Sequence, residues 1–188
     1  MSRSQRNDKR ERLVQAADDL IYEKTFHTTT LADIAKAADV PLGNVYYYFK
    51  TKEAILEAVL QKRSKEWENL FTEWEQNPDS KERLQALVQY FANQSEKLRQ
   101  FGCVIGSLCQ ELGKQSSALA ASSAKLMQNI LDWTEKQFQA LGKAEQSPLL
   151  AQHLLASIQG MSLLTVTLKQ ENYLQKQNEL LQDWLANV

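Results

Sequence analysis

The stretch TTTLADIAKAADVPLGNVYYYFKTKEAIL, from Thr28 to Leu56, decides how the chain is read. His27-Thr28-Thr29-Thr30 breaks a preceding helix, and Thr30 is a natural N-cap for the next. Asp33 lies three positions on, in the first turn, where a carboxylate is favourable. A short helix is therefore expected from Leu31 to about Ala38. Asp39-Val40-Pro41 forms a tight turn, and a second short helix covers about Leu42 to Tyr48. Lys50-Thr51 breaks the chain again, with Thr51 as N-cap of a longer helix reaching about Glu75.

Two short helices joined by a tight turn, between longer ones, are the outline of a helix-turn-helix module. Ile34, Ala35, Val40 and Val45 suit the internal contact where the helices cross. Three consecutive tyrosines cannot all face one core, because a buried phenol needs a hydrogen-bond partner. Tyr48, three residues after Val45, is placed to turn inward with Phe49. Leu42, Gly43, Asn44, Tyr46 and Tyr47 are left for outward positions. A recognition helix meets base edges with its N-terminal residues, and Asn44 carries a base-reading amide. Thr28 and Thr30, where the first short helix begins, suit a phosphate. Lys52 starts the long helix, where its charge opposes the helix dipole unless a phosphate lies nearby. The alternative is a solvated or protein-binding tyrosine face.

Working outward, the 188 residues suffice for one or two domains, and 43% are hydrophobic, as in a packed protein. No apolar run is read as approaching the roughly 20 residues of a membrane span. The basic start lacks the apolar segment of a signal peptide, so a cytoplasmic protein with reduced Cys103 and Cys109 is expected. Two cysteines and two histidines (His27 and His153) give no metal-ligand spacing, and no metal or cofactor is expected. Net charge is −1, yet residues 1–65 hold 12 Lys and Arg against 9 Asp and Glu, and the remainder 10 against 14. A basic first part is a weak hint of a polyanionic partner.

Six glycines and three prolines leave little to interrupt helices, and no stretch alternates as a strand does. The chain reads as all-α, with about nine helices. The first spans about Asn7 to Lys24, and after Asn77-Pro78-Asp79-Ser80 the others cover 81–100, 105–113, 117–141, 147–169 and 172–187. An enzyme is not expected, since no E-x-x-H pair, H-E-x-x-H, Gly-rich phosphate loop or nucleophile elbow occurs.

The quoted stretch resembles the DNA-binding region of TetR-type transcriptional regulators. The resemblance rests on Thr30, then DIAKAADVPLGNVYYYF, then KTKEAIL, and covers about residues 10 to 60. It implies an N-terminal helix-turn-helix domain, residues 1–52, and a helical ligand-binding and dimerisation domain, residues 53–188. It also implies that Thr30, Gly43, Tyr46 and Lys52 bind phosphates, while Leu42, Asn44 and Tyr47 face bases. Three positions depart from the family. Pro41 replaces a frequent serine N-cap, Leu42 a basic or polar residue, and Tyr47 a histidine. Base preference therefore cannot be copied from a relative.

One module buries too little surface for specific binding, so a homodimer on a palindromic double-stranded operator is expected. Ala156 and Gly160 form a small-residue patch. Leu149, His153, Leu163, Thr167, Tyr173, Leu181, Trp184 and Leu185 could surround it, as the family's four-helix dimer implies. Alternatively these residues close the monomer's own core. The family's ligand cavity would be lined from Trp67, Phe71, Tyr90, Phe91, Phe101, Cys103, Met127, Ile130, Trp133 and Met161. Such aromatic stripes are otherwise plain core. Few charges face inward there, which favours a neutral or aromatic effector. The resulting reading is a repressor released by a small molecule. One alternative is an electrophile or oxidant sensor of the same fold, because Cys103 in FGCVIGSLCQEL lies near a helix start, where thiolates are favoured. Another is a helical ligand-binding module without DNA binding.

Overall fold

The computed structural model describes residues 3–114, 117–170 and 172–188, and the described residues outside loops and turns are helical. Ten helices follow one another: α1 (Arg3–Lys24), α2 (Leu31–Ala37), α3 (Leu42–Tyr48), α4 (Lys52–Trp74), α5 (Ser80–Asn93), α6 (Ser95–Phe101), α7 (Val104–Leu112), α8 (Ala118–Ala140), α9 (Ser147–Leu168) and α10 (Tyr173–Asn187). The single helix expected over 81–100 is two. Gln94 sits at φ −82, ψ 17, and its N–H turns back to Phe91 O, three residues away. That tightened bond ends α5, and α6 starts at Ser95.

Packing divides the chain into two compact units. The first comprises residues 1–65 and 107–126. Leu13, Ala17, Ile34, Val45, Ile55, Leu56 and Val59 are buried there, so α1 to α4 share one core. An ion pair ties α1 to α4. Asp18 accepts from Arg63 Nε at 2.7 Å and from Lys62 Nζ at 2.6 Å, and both Asp18 and Arg63 are buried. Burial of Asp18 and Arg63 together makes removal of either one costly.

The second unit comprises residues 66–106 and 127–188. Its core includes Leu84, Leu87, Leu98, Ile130, Phe138, Leu154 and Ile158. Helix α10 packs on α5 and α9, and α6 packs on α9. Helix α9 corrects one expectation. It is 22 residues long with no Asp, Glu, Lys or Arg, and by length and composition alone it could cross a membrane. In the unit, however, its Ala151, Leu154, Leu155, Ile158, Met161 and Thr165 are buried as one core face. Gln152 and His153 lie exposed on the helix's other side. Its apolar character is that of a core helix with a second apolar face.

Candidate nucleic-acid interface

Helix α2 begins as its sequence requires. Thr30 Oγ1 accepts from Asp33 N at 3.1 Å, and Asp33 Oδ2 accepts from Thr30 N at 3.0 Å, closing a capping box. The Thr30 hydroxyl also donates to Asp33 Oδ2 at 2.6 Å. These bonds, side chain first, hold the Asp33 carboxyl below its ordinary value of 3.8. Helix α2 ends at Ala38, and Asp39 adopts a left-handed φ of 51. Arg12 of α1 secures that corner by donating to Ala38 O, to Asp39 O at 2.9 Å and to Asp39 Oδ2 at 3.3 Å.

Helix α3 starts at Pro41 without a side-chain cap, as the sequence implies. Ile34, Ala35, Val40 and Val45 are buried at the crossing of α2 and α3, and Phe49 is buried beyond it. Tyr48 is half-buried and meets Tyr47 edge-on, with ring centroids 5.0 Å apart. Leu42, Gly43 and Asn44 are exposed, and Tyr46 and Tyr47 remain 47% and 64% exposed. The first unit thus displays all five outward residues of α3 on its surface. An amide and two phenols stand on a short rod whose other side is fixed by packing.

The three expected phosphate contacts outside α3 are already engaged within the unit. Thr28 Oγ1 donates to Lys24 O at 3.2 Å, and Thr30 serves its capping box. Lys52 Nζ donates to Phe26 O at 2.8 Å and to His27 O at 3.2 Å, and lies 4.4 Å from the Phe26 ring centroid. Those carbonyls, rather than a phosphate alone, answer the unfavourable placement of Lys52 at a helix N-terminus. Two of its three N–H donors are used, and one is left for an anion. Glu111, near the end of α7, takes the N–H groups of the same two residues. Its Oε2 accepts from Phe26 N at 3.0 Å and its Oε1 from His27 N at 2.8 Å. His27 Nδ1 lies 2.6 Å from Oε1. Partial burial pushes the Glu111 carboxyl up, but the His27 and Phe26 N–H groups outweigh it. The net position is below the ordinary 4.5. Arg12 and Glu111 were not foreseen from sequence. Asp39 at a turn without glycine hints that a cap is needed, but nothing local points to Glu111, 84 residues from His27.

The expected ligand-lining residues all fall in the second unit. Trp67, Phe91, Cys103, Ile130, Trp133 and Met161 are buried, and Phe71, Tyr90, Phe101 and Met127 are half-buried. Five of them form one ring cluster. Phe71 stacks on Trp133 at 4.8 Å, and Trp67 lies 5.3 Å from Tyr90 and 6.0 Å from Phe91. Trp74, outside the expected set, joins them 5.4 Å from Trp133. Trp133 Nε1 donates to Glu75 Oε1 at 2.9 Å, which frees the indole to present only apolar surface. Burial, with the charges of Glu66 and Cys103 adding to it, pushes the Tyr90 phenol up and keeps it a neutral donor. Cys103, whose charge acts on Tyr90, is itself engaged. Its Sγ receives Gly106 N at 3.4 Å and Gln159 Nε2 at 3.5 Å.

The expected dimer residues divide between two places. Leu149, His153, Ala156, Leu163 and Thr167 are exposed on α9, with half-buried Gly160 among them. Leu149 is 71% exposed, and a side chain at Gly160 would meet nothing within 4 Å. Trp184 meets His153 edge-on at 4.9 Å, and Tyr173 is half-buried. Leu181 and Leu185, by contrast, are 8% and 1% exposed and belong to their own unit's core. Leu180, one residue round the helix, is exposed in their stead.

With this geometry in view, comparison with known proteins defines the class. Residues 13–59 match the bacterial regulatory proteins of the tetR family, a span running from α1 into α4. An HTH-type transcriptional regulator from the lacX 3′ region of Lactococcus lactis subsp. lactis is 28% identical over 97% of this chain and 95% of its own length. The HTH-type transcriptional repressor NemR of Escherichia coli is 28% identical over 70% of this chain, a match spanning 64% of the repressor. In fold, the chain is similar to a TetR transcriptional regulator from Legionella pneumophila, with TM-score 0.83, 19% identity and 98% of each chain covered. The reduced form of Escherichia coli NemR has TM-score 0.78 at 22% identity, covering 93% of this chain and 96% of that one. Residues 13–59 thus match the helix-turn-helix module of bacterial regulatory proteins of the tetR family, and the described residues share the fold of solved TetR-type regulators.

Proposed function

We propose that the protein is a repressor that binds a palindromic operator as a homodimer and is released by a neutral or aromatic small molecule. The observation that carries this reading is α3, whose Asn44, Tyr46 and Tyr47 stand in solvent while Val45 locks the rod to α2. In the proposed complex Leu42, Asn44 and Tyr47 face base edges. Thr28, Thr30, Gly43, Tyr46 and the third N–H of Lys52 face phosphates. We assign operator binding to residues 1–52, and ligand binding and dimerisation to residues 53–188. Such a regulator works where bacterial DNA is, in the cytoplasm. A relative named as a repressor supports the direction of control.

The dimer contact is the row Leu149, His153, Ala156, Gly160, Leu163 and Thr167. These recur at alternating four- and three-residue intervals along α9, the spacing of a seam between helices. Leu180 and Trp184 flank it from α10. The effector meets the ring cluster around Trp67 and Trp133, where apolar faces dominate and the Tyr90 phenol is the polar anchor. Effector and operator favour different arrangements of the dimer, so binding one disfavours the other. A gel shift with DNA upstream of the protein's own reading frame tests the reading. A retarded band that vanishes on addition of effector-containing cell extract is expected, and no band at any concentration contradicts it.

One observation favours a second reading, a thiol sensor on the same scaffold. Cys103 is a free cysteine at the start of α7, and two N–H donors point at its sulfur. NemR, solved in a form described as reduced, is a relative in both sequence and fold. Iodoacetamide labelling of the native protein at neutral pH separates the readings. An unmodified Cys103 in a protein whose DNA binding still answers electrophiles excludes the thiol switch.

A further inference from the structure

The turn between α1 and α2 is held from two sides by side chains of distant sequence. Thr25, a β-branched residue, stands at a φ of 119, a conformation such residues adopt only when their surroundings impose it. Immediately after it, the peptides of Phe26 and His27 are fully engaged. Both N–H groups go to the Glu111 carboxylate, and both carbonyls go to the Lys52 ammonium. The Phe26 ring is buried, which anchors the turn a third time. Thr28 and Thr30 follow within four residues, and Thr30 caps α2. Glu111 is oddly placed for its own helix. It sits in the last turn of α7, where a carboxylate opposes the dipole. Its bonds are made to the turn instead.

We propose that Glu111 is a positioning residue for DNA binding: by gripping the Phe26 and His27 amides it sets where Thr28, Thr30 and the start of α2 stand relative to Lys52. The role rests on the DNA-binding reading above and names a residue outside the helix-turn-helix that this reading needs. Glu111 touches no DNA in this scheme. Its loss lets the strained turn relax, and α2 and α3 then meet the duplex less often in the competent arrangement.

The test compares wild type, Glu111→Ala and Glu111→Gln on a duplex selected by wild type from a random pool, with amide hydrogen exchange measured alongside. In Glu111→Ala, exchange at Phe26, His27 and Thr28 should rise at least about tenfold, while core amides of α1 and α4 keep their protection. Affinity per active molecule should fall about tenfold with an unchanged salt slope, because no phosphate contact is lost. Glu111→Gln keeps one acceptor oxygen and should fall between the two. Uniformly faster exchange through α1 and α4 would make Glu111 a merely structural residue and overturn the proposal. So would wild-type affinity in Glu111→Ala. A wild type that selects no duplex would overturn the DNA-binding reading itself, and the positioning role with it.

Discussion

At the scale of single residues, the proposed interface separates groups assigned to reading sequence from groups that hold position. Asn44 is exposed with a free amide, so Asn44→Ala should change base preference more than it changes overall affinity. Selection experiments on the two proteins check this. Lys52→Ala should weaken all duplexes alike and lower the salt slope by about one, if its third N–H meets a phosphate. An unchanged slope would confine Lys52 to holding Phe26 and His27. The carboxylates give a pH signature. Asp33 and Glu111 both lie below their ordinary values in the folded protein. A depressed pKa contributes stability that is present above the unfolded value and lost as pH falls through the folded one. Stability should therefore hold down to about 4.5 and decline below it, more shallowly in Glu111→Gln, when followed by thermal melting across acid pH. These residues differ in how far sequence discloses them. The bond of Thr30 to Asp33 is local, so spacing alone finds it. The bond of Glu111 to His27 is made by folding, and no spacing encodes it.

At the scale of elements, two helices show why period alone is not enough. Helices α2 and α3 are legible because they are short, capped by Thr30 and separated by Pro41, with one small core face apiece. Helix α9 carries no charge over its whole length, so its period cannot distinguish core from interface. Only packing shows that Leu154 and Ile158 are buried while Leu149 and Leu163 are not. The same ambiguity puts Leu181 and Leu185 in the dimer set, although adjacent Leu180 holds the exposed position; a turn of about 100° separates neighbours on a helix. Leu163→Glu should then convert a dimer to a monomer in sedimentation velocity without lowering the melting temperature of the second unit. A dimer of unchanged strength would move the contact elsewhere. Between α1 and α4, Asp18→Ala removes the carboxylate that Arg63 and Lys62 share and should cost about 3 kcal/mol in urea unfolding. A cost under about 1 kcal/mol would mean that water replaces the carboxylate.

At the scale of the whole molecule, one chain carries a helix-turn-helix that displays an amide and two phenols, and a helical unit with a large ring cluster and an exposed apolar row on α9. Each part has a use only if the others do. In the proposed regulator a single α3 would bind weakly, the α9 row would bring a second copy, and the ring cluster would give a means of release. The helix-turn-helix is legible in sequence because capping, turn and aromatic spacing agree at many positions of one segment, and the tetR-family match falls on that segment. The effector does not, because stacked rings such as Phe71 and Trp133 look alike whether they close a core or line a pocket. The most direct test of the central claim is selection from a random duplex pool by wild type and by a variant with Asn44, Tyr46 and Tyr47 all replaced by alanine. The account predicts that wild type enriches a palindrome with half-sites about one helical turn apart, or a multiple of it, and that the variant enriches none. An identical enriched sequence from both proteins would contradict it.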